Sequence, residues 1–376
     1  MALDRKAALL EVIHSFVIYG DLESADPFGG GHINDTFVSR WNQAGTGVRY
    51  IHQRINHAIF THPDEVMENF DRVTGHIRST LAAAEPGGAV TDLSRRTLTL
   101  VPARDGKLWA RDSEGGWWRT YLCVEGIHTL DLARSPEDGR FLGKSIGRFH
   151  KLLADLPPPR LHETIPEFHN MESRYRRFYD ALSKDAFNRA GEVREEIAFM
   201  QANEERGGIL VRALKSGAIP ERICHNDTKM NNIFINDEDG TALCVGDLDT
   251  VMPGTCLFDV GDLIRTVTTR AEEDEQDLSK VVFDRSYFEA LLEGYLSEAA
   301  EFLIPEEKRL LAESGRNLTQ IMALRFLTDY LEGDHYYHTR RPGHNLDRCR
   351  NQIALIKSMD SQWDRTESDL RRLTDK

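Results

Sequence analysis

The sequence predicts an α+β protein in two lobes, with a β-rich N-terminal lobe to about Gly126 and a mainly helical C-terminal lobe over 127–376. Three observations carry this reading. Short runs of alternating apolar and polar residues fill the first third. Apolar residues at helical spacing fill most of the rest. Strand-like runs return only between Ile223 and Val260. A length of 376 residues suits two to three units of about 150 residues each.

Taken in order, Met1 to Gly20 reads as an amphipathic helix. Leu9, Val12, Ile13 and Phe16 are interrupted by Glu11 and His14, which a signal peptide core would exclude. Asp26 to Val38 reads as strand, tight turn at Gly29-Gly30-Gly31, strand. Val48 to Ile55 alternates as a third strand. Pro63 to about Leu81 carries Val66, Phe70, Val73 and Ile77 on one helical stripe. Thr97–Val101, Leu108–Arg111 and Trp117–Glu125 read as further short strands. Phe141 to Leu153 is helical, Pro157-Pro158-Pro159 forces a linker, and helices follow through Glu204 and from Phe288 to Leu303. A cleft between the lobes is the expected place for a small ligand.

Composition narrows the function. Lys and Arg total 47 against 61 Asp and Glu, a net charge of −14, which disfavours nucleic acid and anionic membrane as partners. No window approaches the roughly 18 apolar residues of a membrane span. The five cysteines form no C-x-x-C pair and suit a reduced, cytoplasmic compartment.

The most informative stretch is Ile223-Cys224-His225-Asn226-Asp227-Thr228-Lys229-Met230-Asn231-Asn232-Ile233-Phe234-Ile235. An apolar pair leads into a polar loop and an apolar triplet leads out. Asn236 to Gly240 is a turn signal, and Ala242 to Gly246 is a second strand running into Asp247-Leu248-Asp249-Thr250. A hairpin of this kind returns Asp247 to the end that carries His225, Asp227 and Asn232. Phosphoryl transfer needs these groups: one carboxylate to orient and deprotonate the attacking hydroxyl, and an amide oxygen with a second carboxylate to hold divalent ions. Singly, each residue reads as ordinary loop Asn or Asp; together their spacing is specific.

This His-x-Asp-x-x-x-x-Asn pattern, followed by a strand ending in Asp, resembles the aminoglycoside/choline phosphotransferase branch of the protein-kinase-like fold. The resemblance implies Asp227 as catalytic carboxylate, Asn232 and Asp247 as magnesium ligands, and ATP as donor. It implies an N-terminal lobe that covers ATP, with Gly29, Gly30 and Gly31 near its phosphates. The backbone of a hinge near 121–126, including Tyr121 and Cys123, would meet adenine. Gly31-His32-Ile33-Asn34, the stretch from His225 to Gly254, and Arg325 to Tyr336 further resemble members that phosphorylate the anomeric hydroxyl of N-acetylated hexosamines. In such an enzyme His32, Asp227, Arg325 and Tyr336 would face the sugar. Asp259 and Asp262 would cap and brace the helix beginning near Val260. One departure stands out. Gln53 occupies the third-strand position where the family usually presents a cation to the phosphates, with Arg54 on the opposite face; a shift of one residue would exchange them.

Leu318, Ile321, Met322, Leu324, Phe326, Leu327, Tyr330 and Leu331 cover most of a helix surface, so Arg325 and Asp329 are expected to be partly buried. They form either a structural i, i+4 ion pair or, for Arg325, a substrate contact. Gly139 to Ser145 mimics a phosphate-binding loop but is one residue short and lies within a helix. Other readings remain open: the same chemistry on another sugar, an amino alcohol or an aminoglycoside; a non-catalytic kinase-like binding protein, motivated by Gln53; and a metal-dependent hydrolase built on Asp247, Asp249, Asp259 and Asp262.

Overall fold

A computed structural model describes residues 2–29, 33–84 and 92–375, and the chain is α+β, as the patterning predicts. It forms two compact units: one of residues 1–129, 155–166 and 233–252, the other of residues 130–154, 167–232 and 253–376.

The first unit contains α1 (Ala2–Val12), β1 (Asp21–Pro27), β2 (Asp35–Gln43), β3 (Thr46–Ile55), α2 (Pro63–Ala84), the single turn α3 (Leu93–Arg96), β4 (Ala110–Arg111), β5 (Trp117–Leu122) and β6 (Ile127–His128). Five strands make an antiparallel sheet in the order β1-β2-β3-β5-β4. Leu9, Ile13 and Phe16 from the N-terminal segment pack on Phe37, Trp41 and Trp118 of the sheet. The expected strand at Thr97–Val101 shrinks to an isolated bridge between Leu100 and Tyr121, because Pro102 has no N–H with which to continue a ladder. Leu108–Arg111 contracts to the two residues of β4, and the strand from Trp117 stops at Leu122. A small second sheet pairs β6 with β8 (Ile233–Asn236) and β8 with β9 (Ala242–Val245), which confirms the hairpin.

The second unit is nearly all helix: α4 (Pro136–Leu153), α5 (Met171–Lys184), α6 (Arg194–Ala202), α7 (Glu204–Gly207), α8 (Ile209–Lys215), then the short strand β7 (Arg222–Cys224), α9 (Cys256–Val267), α10 (Arg285–Ala299), α11 (Pro305–Leu331), α12 (His344–Ser361) and α13 (Trp363–Thr374). Helix α4 starts five residues earlier than its apolar stripe suggests, because Ser135 and Asp138 form a reciprocal capping box with Pro136 at the first turn. The glycines that mimic a phosphate loop serve packing. A Cβ on Gly143 would lie 2.0 Å from the Leu291 carbonyl oxygen, and one on Gly294 would lie 1.9 Å from that of Arg140, so α4 and α10 touch backbone to backbone. Helix α11 is buried nearly all round, with Leu318, Ile321, Leu324, Phe326 and Leu327 in the core.

No helix among the described residues is long and apolar enough to cross a membrane. All five cysteines are free thiols, four of them buried.

Candidate active site

In the helical unit, β7 delivers the chain into the loop His225–Asn232. The loop closes on itself: the Asn232 side-chain amide donates to the Asp227 carbonyl at 2.9 Å, and the Asn232 backbone N–H donates to the Lys229 carbonyl at 3.0 Å. This turns the Asn232 amide nitrogen inward and leaves its oxygen as the group able to meet a cation. Asn226 sits at φ +65°, a left-handed conformation that Asn tolerates, and it redirects the chain so that Asp227 follows the bend. The His225 ring is fully buried, and its Nδ1 accepts the Asp227 backbone N–H at 3.3 Å; it orders the loop. The Asp227 carboxylate is partly open and lies 3.0 Å from the Lys229 ammonium.

Asp259 is the brace of this loop. Its carboxylate is fully buried and accepts the backbone N–H groups of His225 and Asn226, each at 2.6 Å, and His150 Nε2 at 2.7 Å. Burial alone would push this carboxyl up, but the hydrogen bond and charge of His150, with help from His225 and its N–H, hold it below the usual carboxylate range. The expectation that Asp259 caps a helix is therefore corrected. The helix α9 begins earlier, at Cys256, and Thr255 is its N-cap. Asp262 instead pairs with Arg265 at 2.9 Å within the helix.

In the first unit, Val245 of β9 pairs with Ile233 of β8, the residue that follows Asn232 in the chain. Asp247 lies two residues past Val245, at φ +52°, and opens the turn Leu248–Thr250. That turn is pinned from several sides. Asp249 pairs with Arg119 of β5 while its other oxygen accepts the Asn34 amide at 2.5 Å; Thr164 donates to the Asp249 carbonyl at 2.7 Å, and Asn69 to the Val251 carbonyl at 3.0 Å. Asn34 also accepts the Asn56 N–H at 2.9 Å, so it ties the start of β2 to the end of β3. Gly29 adopts φ +72°. Gly30, Gly31 and His32 lie outside the described residues.

Gln53 and Arg119 are direct partners in the β3–β5 register. Gln53 Oε1 accepts Arg119 Nε at 2.9 Å and Nη2 at 2.6 Å, and Gln53 Nε2 donates to Thr36 at 3.2 Å. Arg119 is 1% exposed and lies 4.8 Å from the Phe70 ring centre. Burial opposes its charge, but Asp249, with smaller contributions from Tyr121 and Asp247, keeps its pKa above the ordinary arginine value. Arg54 faces the other way and is held by Asp112 at 3.0 Å and Glu114 at 3.2 Å. Tyr121 is a partner of Ile51 in the sheet, and burial pushes its phenol up. Cys123 follows β5, its N–H already donated to the Arg49 carbonyl at 3.0 Å.

Arg325 does not pair with Asp329. The Asp329 carboxylate accepts the backbone N–H groups of His335 (3.0 Å), Tyr336 (2.8 Å) and Tyr337 (3.0 Å), and the Asn345 amide at 2.8 Å. The Arg325 guanidinium instead lies 5.3, 5.7 and 5.5 Å from the ring centres of Phe168, Tyr336 and Tyr337, and 3.4 Å from the Tyr336 hydroxyl. Arg325, Tyr336 and Arg174 line a shallow, open recess in the helical unit. The sequence reading missed Arg174, Arg119 and the role of Asp259. Arg119 had a legible signal, a cation inside the aromatic run Trp117-Trp118-Arg119-Thr120-Tyr121.

Fold and loop together define the class, a protein-kinase-like phosphotransferase. More narrowly, the chain belongs to the family described as "Phosphotransferase enzyme family", whose sequence profile matches residues 24–302. Solved structures agree on the fold. A spectinomycin phosphotransferase in complex with ADP and spectinomycin superposes with a TM-score of 0.57 at 11% identity, covering 95% of this chain and 98% of that one. A putative aminoglycoside phosphotransferase from Ralstonia eutropha gives 0.55 at 14% identity, covering 98% of each chain. A choline/ethanolamine kinase family protein from Mesorhizobium loti gives 0.51 at 15% identity, covering 99% of this chain and 100% of that one.

Proposed function

We propose that this phosphotransferase moves the γ-phosphoryl group of ATP to the C1 hydroxyl of an N-acetylhexosamine, N-acetylglucosamine or N-acetylgalactosamine, as an N-acetylhexosamine 1-kinase does. The observation that carries the reading is the closed loop in which Asn232 donates to the Asp227 carbonyl, with Asp227 presented beyond a left-handed Asn226. The C1 oxygen attacks the γ-phosphorus as the bond to the β,γ-bridging oxygen breaks. The hydroxyl proton passes to the Asp227 carboxylate, and the products are ADP and the sugar 1-phosphate. An anomeric hydroxyl is more acidic than an ordinary alcohol, so a carboxylate of modest basicity suffices and most of the rate comes from positioning and charge screening.

Magnesium fits the donor set. This ion takes oxygen ligands, keeps several waters and needs only one or two protein groups beside substrate phosphates. Asn232 through its amide oxygen and Asp247 through its carboxylate are the protein groups that would hold it, and when bound it screens the phosphate charge. His225 keeps the loop in place, and the Lys229 ammonium lies beside the Asp227 carboxylate. Arg325 and Tyr336 hydrogen-bond sugar oxygens; by the resemblance alone, His32 is a further sugar contact, and Gly29, Gly30, Gly31, Tyr121 and Cys123 are nucleotide contacts. Gln53 stands at the third-strand position that the family turns to the phosphates, where it holds the buried Arg119. Free thiols and the acidic surface suit a cytoplasmic enzyme.

An acceptor screen that follows ADP formation tests the reading. Turnover with either N-acetylhexosamine, with phosphate found on C1, supports it. Turnover only with amino alcohols, aminoglycosides or other sugars ends the N-acetylhexosamine version and keeps the phosphotransferase.

A further inference from the structure

The recess beside the catalytic loop carries more positive charge than a neutral sugar requires. Its route to the loop lies within the helical unit. The Arg325 guanidinium stands over Phe168, and the neighbouring His169 ring reaches the carbonyl of Asn226, the residue before Asp227, at 3.4 Å. Two guanidiniums here, Arg325 and Arg174, have no carboxylate partner among the described residues. Among the described residues Arg325 hydrogen-bonds only the Tyr336 hydroxyl and Met322 sulfur, and Arg174 donates only to the Phe168 carbonyl at 2.6 Å. Nearby acids are already engaged: Asp329 by three backbone N–H groups and Asn345, Glu332 by Arg177. Two residues that line the recess hold buried donors with no partner, Arg174 at Nε and Tyr337 at its hydroxyl. Buried donors without acceptors are costly, and they point to a ligand that supplies the missing oxygens.

Resting on the reading of this recess as the acceptor site, we propose that among N-acetylhexosamines the site prefers those that carry an anionic oxygen group, a carboxylate or a phosphate, which Arg174 and Arg325 bind together. The aromatic rings of Phe168, Tyr336 and Tyr337 surround the Arg325 guanidinium, and the Phe168 carbonyl accepts from Arg174, so the donors are set before the ligand arrives. Burial, and then the neighbouring charge of Arg325, push the Arg174 pKa down to about 10, as expected of two cations held close without a counter-ion. A cationic acceptor would meet like charge here and lose affinity.

The test compares kcat/KM for N-acetylglucosamine, its 6-carboxylate, its 6-phosphate and glucosamine. The acidic sugars are expected to exceed N-acetylglucosamine by tenfold or more, with glucosamine last; the better of the two acids identifies the group. In Arg174→Met the ratio of acidic to neutral sugar falls to about one, and in Arg174→Lys most of it returns. Preference for the neutral or cationic sugar, or a ratio unchanged in Arg174→Met, overturns the inference. If no sugar is phosphorylated, the N-acetylhexosamine reading fails on its own. Calorimetry with glucuronate and glucose 6-phosphate then decides the recess: binding lost in Arg174→Met sustains it, and no Arg174-dependent binding removes it.

Discussion

Arg119→Met is the most informative single change in the first unit. Arg119 is 1% exposed, and its partner Asp249 has a side chain 3% exposed. Removing the cation leaves Asp249 charged, buried and held by one neutral donor, the Asn34 amide. Breaking a buried pair from one side costs about 3–5 kcal/mol, of which the lost attraction to Phe70 is a minor share. With an unfolding entropy of about 2.1 cal/mol/K per residue, 376 residues give about 0.8 kcal/mol/K, so a loss near 4 kcal/mol lowers the melting temperature by about 5 °C. A unit that melts separately would shift further. The second variant, Arg119→Met with Asp249→Leu, removes both charges and is expected to recover at least half of that loss, since apolar replacements of a buried pair are often neutral. Differential scanning calorimetry reads both. A single variant that melts within 1 °C of the parent, or a double variant worse than the sum of its parts, would refute the buried pair as the clasp of the Leu248–Thr250 turn.

Other expectations follow from the same geometry. Asp227→Asn keeps the size and the loop hydrogen bonds but cannot accept the proton, so kcat falls by about 10²–10⁴-fold with melting unchanged; retained turnover would transfer the role to another group. Asp259→Asn places an NH₂ against backbone N–H donors and is expected to cost about 2–3 kcal/mol and to lower kcat with little effect on nucleotide affinity, read by urea melts and steady-state kinetics. Burial pushes His52 down to about 3 and His169 to about 4, burial being aided at His169 by Arg325, so both are neutral in the folded protein and bind protons only on unfolding. Their contribution is complete above about pH 6.5 and is lost as pH falls towards those folded values, roughly 2 kcal/mol for each between pH 6.5 and 5. Urea melts at pH 7.5 and 5 measure the loss, and a His52→Gln variant with the same pH slope as the parent would contradict it.

Much of this was legible in the sequence because it rests on local pattern. Alternation gave β3 and β5, the turn signal at Asn236–Gly240 gave the hairpin, and the hairpin predicts where Asp247 returns. What the pattern hid was pairing at long range. Arg119 and Asp249 are 130 residues apart, and nothing in either neighbourhood marks the other as its partner. The i, i+4 spacing of Arg325 and Asp329 suggested an ion pair, but Asp329 is consumed by the backbone of 335–337, a contact that depends on how the chain turns after α11. Asp259 misled for a similar reason: an acid near a helix start suggests a cap, and only the packing of α9 against α4 and β7 turns it to the His225–Asn232 loop.

Asp259 and Asp329 solve one physical problem twice. A loop that must hold a reacting or binding group still has backbone N–H groups with no helix or sheet to take them, and leaving them buried and unpaired is costly. In each case a buried carboxylate on a helix accepts those N–H groups, two at His225 and Asn226 for Asp259, three at His335, Tyr336 and Tyr337 for Asp329. The negative charge is thereby spent on partial positive charges of the main chain and is not available to a guanidinium. This is how a chain of net charge −14 keeps Arg174 and Arg325 without a carboxylate partner among the described residues, beside the Asn226–Asp227 loop. Had Asp329 faced Arg325 at the spacing the helix allows, Arg325 would be paired and the 335–337 backbone would be loose. The two consequences are linked by one carboxylate, so Asp329→Asn, which halves its accepting capacity, is expected to disturb the Tyr336 contact and acceptor affinity together while leaving nucleotide affinity in place.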